Sequence, residues 1–135
     1  MSETLKITLT AVTGVTVFVI GQLIQKLFIE PIHEQRKSIG EVLYVLDYYR
    51  SLTFIEGIDW ETQKEARKYL RRATSDLYRN TATIPAYRTL AFLRVVPKRR
   101  VIRSIQDEMS GLTKEVNNET LEAAHKKIKT ELNMI

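Results

Sequence analysis

A run of nineteen uncharged residues near the amino terminus, residues 7–25, constrains this chain more than any other feature. The run lies between Lys6 and Lys26. At about 1.5 Å of rise per residue it would form a helix of about 28 Å, close to the thickness of the hydrocarbon core of a bilayer. A cleaved signal peptide has a shorter apolar core, about 7–15 residues, and a small-residue cleavage site. The sequence therefore predicts a retained transmembrane anchor over residues 1–29, and a buried helix of a soluble protein is the alternative.

The basic residues that flank this run predict its orientation, because Lys and Arg near a span favour the cytoplasmic side. Lys26, Arg36 and Lys37 follow the run, whereas Lys6 and the amino terminus precede it. We therefore expect a single-pass protein of the cell inner membrane, with residues 30–135 in the cytoplasm. The chain has no cysteine, which excludes disulfides, thiol redox chemistry and thiolate metal sites.

The predicted span is unusually polar, which is typical of a helix that packs against other helices in the membrane. Small residues recur on one stripe, where backbones can approach closely, and two glutamines would seek hydrogen-bond partners across helices. These residues predict a homo-oligomer in the lipid bilayer: Thr10, Gly14, Val17, Gly21, Gln22 and Gln25. In the alternative, threonine hydroxyls bond to their own helix and the glutamines lie among the headgroups. A pore lined by Thr and Gln is the more specific form of the first interpretation.

Residues 30–135 are predicted to be all-α, because apolar residues recur at spacings of three and four and no stretch alternates with period two. About five helices with short connections would form a small bundle. The first helix is expected to run from about Pro31, where it begins or continues the membrane helix through a kink, to a break at residues 56–59. The others are expected from a cap at Asp59 to residues 80–83, from Pro85, from Pro97, and after residues 117–118. Their inward residues are expected to be Ile32, Ile39, Leu43 and Leu46; Ala66, Tyr69, Leu70, Ala73 and Leu77; Tyr87, Leu90 and Ala91; Ile102, Ile105, Met109, Leu112 and Val116; and Leu121, His125, Ile128 and Leu132.

A basic segment covers residues 67–103, which contain eleven Lys or Arg and one acidic residue, Asp76. Such a field attracts phosphate, either in nucleic acid or in anionic lipid headgroups. A merely solvated helix face normally mixes both signs of charge, as residues 119–131 do. The predicted anion-binding residues are Arg67, Lys68, Arg71, Arg72, Lys98, Arg99, Arg100 and Arg103.

Three of these cations, Lys98, Arg99 and Arg100, follow Pro97 directly, where the first turn of a helix is expected. The helix dipole disfavours positive charge there by roughly 0.3–1 kcal/mol each. A bound phosphate would remove that penalty. Alternatively, the cations complement the carboxyl end of the preceding helix, around residues 94–96.

The two histidines each follow a glutamate by three residues, as Glu30 and His33 and as Glu122 and His125. This spacing occurs in carboxylate-bridged di-iron bundles, which need two further glutamates from other helices. Pro31 lies inside the first pair, and no further glutamate falls clearly on an inward face. The sequence therefore favours a non-enzymatic protein without metal or cofactor, and a carboxylate-bridged metal site remains the alternative.

Short motifs along most of the chain resemble those of a family of small, mostly uncharacterised bacterial single-pass membrane proteins with a cytoplasmic helical domain. They are FIEPI at 28–32, EQRK at 34–37, IGE at 39–41, YY at 48–49, AR and LR at 66–71, IPAY at 84–87 and MSGL at 109–112. In architecture and size the chain is also similar to the small accessory membrane proteins of type VI CRISPR systems. Their subunits form a membrane pore and carry a degenerate HEPN-like domain, so this resemblance implies assembly and antiviral defence. It assigns no catalytic residue, because no Arg precedes either histidine at the HEPN spacing.

Two classes of function therefore remain open. The first is a protein that self-assembles through its membrane helix, perforating the membrane in its pore form. The second is a membrane-anchored adaptor whose basic helical surface binds RNA, anionic lipid headgroups or a protein partner.

Overall fold

The computed structural model describes residues 2–56, 59–112, 114 and 116–133, with the side chains of all of these except 53–56, 118 and 133. Within these ranges every regular element is helical, which confirms the predicted all-α class. The elements are α1 (Glu3–Ile24), a π-helical turn (Gln25–Ile29), α2 (Glu30–Glu56), α3 (Trp60–Ala82), α4 (Tyr87–Phe92), α5 (Arg99–Leu112) and α6 (Asn118–Asn133). Helices α2 to α6 form the bundle, and α1 extends from it.

A π-helical turn joins α1 to α2 without interrupting the helix, and Pro31 is the second residue of α2. Proline has no N–H and its ring collides with the carbonyl four residues earlier, so it normally breaks or kinks a helix. Here the N–H of Glu30 donates to the carbonyl of Gln25, five residues back. This widened turn immediately before Pro31 lets the chain continue as a helix past the proline.

Helix α3 runs antiparallel to α2 and begins and ends where the sequence predicts. The Asp59 carboxylate accepts a hydrogen bond from the Thr62 backbone N–H at 2.7 Å, which caps the helix as expected. At its other end, the Asn80 side chain donates to the Ser38 hydroxyl at 2.6 Å, near the start of α2. The predicted break at 56–59 falls partly on residues 57–58, which lie outside the described residues.

Helix α5 runs antiparallel to α3 and away from α1. One contact shows this direction: Arg67, near the start of α3, donates to the carbonyl of Lys114, beyond the end of α5. Helix α6 then reverses again, with Lys127 forming an ion pair with Glu108 of α5. The bundle therefore has two ends. We call the end that carries the start of α2, the end of α3, α4 and the start of α5 the α1-proximal end, and the other the far end.

The main core lies between α2, α3, α5 and α6, and a smaller apolar cluster lies beneath α4. Most predicted inward residues are buried or packed against these clusters. The prediction is wrong for Tyr69, which is 42% exposed. It also missed Val42, Val45 and Tyr49, which are buried on α2.

Candidate membrane anchor and basic surface

Helix α1 has no buried residue, and every described side chain from residue 2 to residue 27 is exposed. Thirteen large apolar side chains between residues 5 and 29 are each 47–69% exposed. Among the residues that the structure describes, one helix is long and apolar enough to cross a membrane, and it is this one. Its apolar surface is not used by the fold of the bundle.

The threonine hydroxyls of α1 are satisfied within the helix itself. Those of Thr8, Thr13 and Thr16 each donate to the carbonyl four residues earlier at 2.8 Å, and that of Thr10 does so at 2.9 Å. This is the arrangement that the sequence left open as an alternative. The threonines therefore do not require a partner helix.

The glycines of the small-residue stripe face open space. A Cβ atom added at Gly14 or at Gly21 would meet nothing within 4 Å. Their lack of a side chain is therefore not needed for packing within the described part of this chain. Gln22 and Gln25 are also exposed.

The predicted anion-binding residues do not form one continuous site, because they lie at different heights along α3 and α5. Arg67 and Lys68 lie toward the far end, where the guanidinium of Arg67 donates to the Lys114 carbonyl at 3.4 Å. Arg99 and Arg100 begin α5 at the α1-proximal end. Along α3, the rise from Arg67 to Arg79, which marks the α1-proximal end, is about 18 Å at 1.5 Å per residue.

Part of the basic segment faces acidic side chains. Arg72 and Arg79 line a groove of about 380 Å³ between α2 and α3 that also contains Glu34, Glu41 and Asp76. The Arg79 guanidinium lies 3.2 Å from the Asp76 carboxylate. This groove carries both signs of charge, so it is a weaker anion site than the sequence implied.

The start of α5 keeps its cations exposed. Arg99 and Arg100 are the first two residues of the helix and Lys98 precedes it. The Arg99 guanidinium lies 5.4 Å from the centre of the Tyr87 ring, within the range of a cation–π contact. The structure thus gives Arg99 a local partner that neither sequence interpretation anticipated.

A buried polar network holds α4 against α2. Gln35 is completely buried, and its amide nitrogen donates to the Tyr87 hydroxyl at 3.0 Å and to the Thr81 hydroxyl at 3.1 Å. The Tyr87 hydroxyl donates in turn to the carbonyl of Pro97. Burial raises the pKa of the Tyr87 phenol, which therefore stays protonated as a donor. Sequence analysis missed Gln35, although it continues the buried spacing of Ser38 and Val42.

A tyrosine-lined cleft farther along α2, also between α2 and α3, was missed as well. Tyr44, Tyr48, Tyr49 and Tyr69 line a cavity of about 300 Å³ together with Glu41 and Glu65. Burial, with the nearby Glu65 carboxylate, raises the pKa of the Tyr49 phenol. The available sequence signal was the spacing of Tyr44 and Tyr48, which places both on one helix face.

The two Glu-x-x-His pairs do not come together. His33 lies near the α1-proximal end of α2, whereas His125 lies beside Asp47 and Arg50, about 21 Å farther along that helix at 1.5 Å per residue. Across the described ranges, no group of three or more His, Cys, Asp or Glu residues could hold a metal ion. The arrangement offers no geometry for the carboxylate-bridged alternative.

Fold and surface together define an all-α chain with one long exposed apolar helix and a bundle that is basic around α4 and the start of α5. No protein-family model, curated protein or solved structure matches this chain. The resemblances drawn from its short motifs therefore remain predictions.

Proposed function

We propose that this chain is a single-pass protein of the cell inner membrane, with α1 in the bilayer and the bundle in the cytoplasm. The observation that carries the proposal is the exposed apolar surface of α1. Burying a large aliphatic or aromatic side chain stabilises by roughly 1.5–3 kcal/mol, so thirteen half-exposed ones represent on the order of 10–20 kcal/mol. That is comparable to the net stability of a typical domain, about 5–15 kcal/mol, so we expect this apolar surface to be shielded from water.

A lipid bilayer is the environment that matches both the length of the apolar surface of α1 and the charges at its ends. The π-helical turn and Lys26 mark the end of the apolar run, and Arg36 and Lys37 are exposed just beyond it. These basic residues outnumber Lys6 on the other side of the span, which favours a bundle in the cytoplasm.

We further propose that the protein assembles through α1 and that assembly is its function, with a pore in bacterial antiviral defence as the most specific form. The support is the open stripe at Gly14 and Gly21, together with the exposed amides of Gln22 and Gln25. In lipid, close backbone approach and interhelical amide hydrogen bonds stabilise helix pairs.

The absolute mass of the full chain in mild detergent, by light scattering or native mass spectrometry, tests this proposal. A discrete oligomer supports assembly, and conductance across a planar bilayer then tests the pore. A monomer at all protein concentrations rejects assembly and leaves α1 as an anchor.

A membrane-anchored adaptor is the second candidate function, and the exposed cations of α5 favour it. Arg99, Arg100 and Arg103 are exposed on the first turns of that helix. A cytoplasmic anion, such as RNA, would find these charges close to one another.

A further inference from the structure

Two large apolar side chains at the tip of α4 point into solvent. Phe92 is 85% exposed and Leu93 is 62% exposed. Phe92 lines an open groove of about 450 Å³ with Arg88, Lys98 and Arg99. The tip therefore combines bulky apolar groups with several cations on one small surface.

The backbone holds this tip in a defined shape. The N–H of Val95 donates to the carbonyl of Leu90 at 3.0 Å, and the N–H of Arg94 donates to that of Ala91 at 3.2 Å. These are the two bonds of a Schellman motif, with Arg94 in the left-handed conformation at φ 59°. Leu90 and Val95 pack into the small apolar cluster, so Phe92 and Leu93 remain outside it.

An arginine at the left-handed position of that motif is unusual, because glycine is the residue that adopts this conformation without steric penalty. Arg94 adds a cation beside Phe92 and Leu93 at a backbone position that favours glycine. A local rule broken in this way is typical of a surface with a function.

The fold places the tip close to the predicted end of the membrane span. The small apolar cluster beneath α4 packs against Ile32, and the Arg36 guanidinium donates to the Val95 carbonyl at 3.1 Å. Ile32 and Arg36 are three and seven residues beyond Ile29, which corresponds to about 5–10 Å along the helix. The headgroup layer occupies about 5–8 Å on each side of the hydrocarbon core. If α1 spans the bilayer as far as Ile29, these contacts with the start of α2 place the base of the α4 tip within or just beyond the headgroup layer.

We propose that the α4 tip docks into the headgroup layer of an anionic bilayer, with Phe92 and Leu93 at the acyl boundary and the surrounding cations bound to lipid phosphates. The cations are Arg88, Arg94, Lys98, Arg99 and Arg100. This inference rests on the proposed membrane insertion of α1. It adds a second contact that sets the bundle against the membrane surface. An aromatic ring among cations could also stack on RNA bases. The exposed aliphatic side chain of Leu93 beside Phe92 has no such role with RNA, and it favours lipid, which offers an acyl layer for both.

Tryptophan quenching by lipids with brominated acyl chains tests the docking. The chain has a single tryptophan, Trp60, which is 70% exposed at the far end of the bundle. A Phe92→Trp reporter in a Trp60→Phe background is placed in bilayers of equal phosphatidylcholine and phosphatidylglycerol. A Phe18→Trp reporter in the same background measures insertion of α1, and the unaltered chain is the control for a site away from lipid.

We expect brominated lipid to quench the Phe18→Trp reporter strongly and the Phe92→Trp reporter substantially, and to leave Trp60 unchanged. Quenching of the Phe92→Trp reporter should fall severalfold in pure phosphatidylcholine, or when Lys98→Gln and Arg100→Gln are added. A Leu93→Trp reporter repeats the measurement if Phe92→Trp perturbs the bundle.

Two failures are distinguishable. An unquenched Phe18→Trp reporter overturns the membrane-spanning function itself. Quenching of Phe18→Trp without quenching of the Phe92→Trp and Leu93→Trp reporters overturns the docking alone. Quenching of the two tip reporters that is as strong in neutral lipid as in the anionic bilayer overturns the proposed role of the cations. If the Phe92→Trp reporter is unquenched and its emission shifts on addition of single-stranded RNA, the α4 tip binds nucleic acid and the lipid proposal is wrong.

Discussion

The side-chain amide of Gln35 in α2 lies 3.0 Å from the phenolic oxygen of Tyr87 in α4, across the α1-proximal end of the bundle. Both residues are buried, and the Tyr87 hydroxyl passes the hydrogen bond on to the Pro97 carbonyl just before α5. One phenol therefore connects α2, α4 and the segment that begins α5. The position of the α4 tip relative to α1 depends on this connection.

Replacement of Tyr87 by Phe isolates the contribution of that hydroxyl. It leaves the Pro97 carbonyl and one amide hydrogen of Gln35 buried without a partner, so the free energy of unfolding should fall by about 1–3 kcal/mol. The ring that lies under the Arg99 guanidinium is retained. Thermal unfolding of the full chain in detergent, followed by circular dichroism, measures the loss. The matched control is Tyr78→Phe, whose ring is 67% exposed and which should change stability by less than about 0.5 kcal/mol. Equal effects of the two substitutions would contradict the network.

Leucine at Gly14 or Gly21 should weaken assembly of the membrane helix. Either substitution places a large side chain on the stripe where backbones are proposed to approach. The added Cβ meets nothing within 4 Å in the described part of the chain. The oligomer mass in detergent should therefore fall while helix content and the unfolding temperature of the bundle stay constant. Val12→Leu, on the opposite face of α1, should leave the mass unchanged. If both glycine variants keep the full oligomer mass, the stripe is not the interface.

Protonation of His125 should destabilise the bundle. Burial and the positive charge of Arg50 lower the pKa of this imidazole below its ordinary 6.5, although Asp47 opposes the shift and Lys129 adds to it. The unfolded chain then binds a proton more readily than the folded one, so stability is complete above about pH 6.5 and declines as the pH falls below it.

His125→Gln should flatten this part of the stability profile, measured as the unfolding temperature between neutral and mildly acidic pH. His33→Gln removes an exposed histidine at the other end of α2 and serves as the control. If His125→Gln leaves the acid decline unchanged, another group is responsible for it.

Charge reversal at the start of α5 tests the adaptor function. In Arg99→Glu with Arg100→Glu, binding of a labelled mixed-sequence single-stranded RNA should be strongly weakened at low salt. If the two side chains each neutralise one phosphate, the slope of log affinity against log salt should decrease by about 1.4. Acidic residues are favoured in the first turn of a helix, so the fold should tolerate the change.

The matched control reverses Lys126 and Lys129, two exposed residues of α6, with the same change in net charge. It should bind RNA nearly as tightly as the unaltered chain. Equal losses in the two double variants would indicate a general charge effect, and an unchanged affinity with Arg99 and Arg100 reversed would reject RNA binding at α5.

Much of the architecture follows from local rules. Apolar spacing placed α3, α5 and α6, and Asp59 caps α3 as predicted, because a cap and a helical stripe are decided by neighbouring residues. Pro31 was harder to interpret, since the same residue can begin a helix or continue one through a widened turn. The wrong assignment of Tyr69 has a similar cause, because its spacing fits the buried stripe but its ring lies at the edge of the tyrosine-lined cleft.

The sequence by itself determined the all-α class and the long uncharged helix, because periodicity and length are properties of a continuous segment. Tertiary structure alone decided that Gln35 is buried against Tyr87, that the basic segment is divided along α3 and α5, and that the segment carrying Phe92 and Leu93 packs against the start of α2. Each of these depends on contacts between residues more than forty positions apart, or on the antiparallel course of the helices, and neither is set by local sequence. The hydrogen bonds from the threonine hydroxyls of α1 to backbone carbonyls, by contrast, follow from local sequence, because each forms within a single turn of helix.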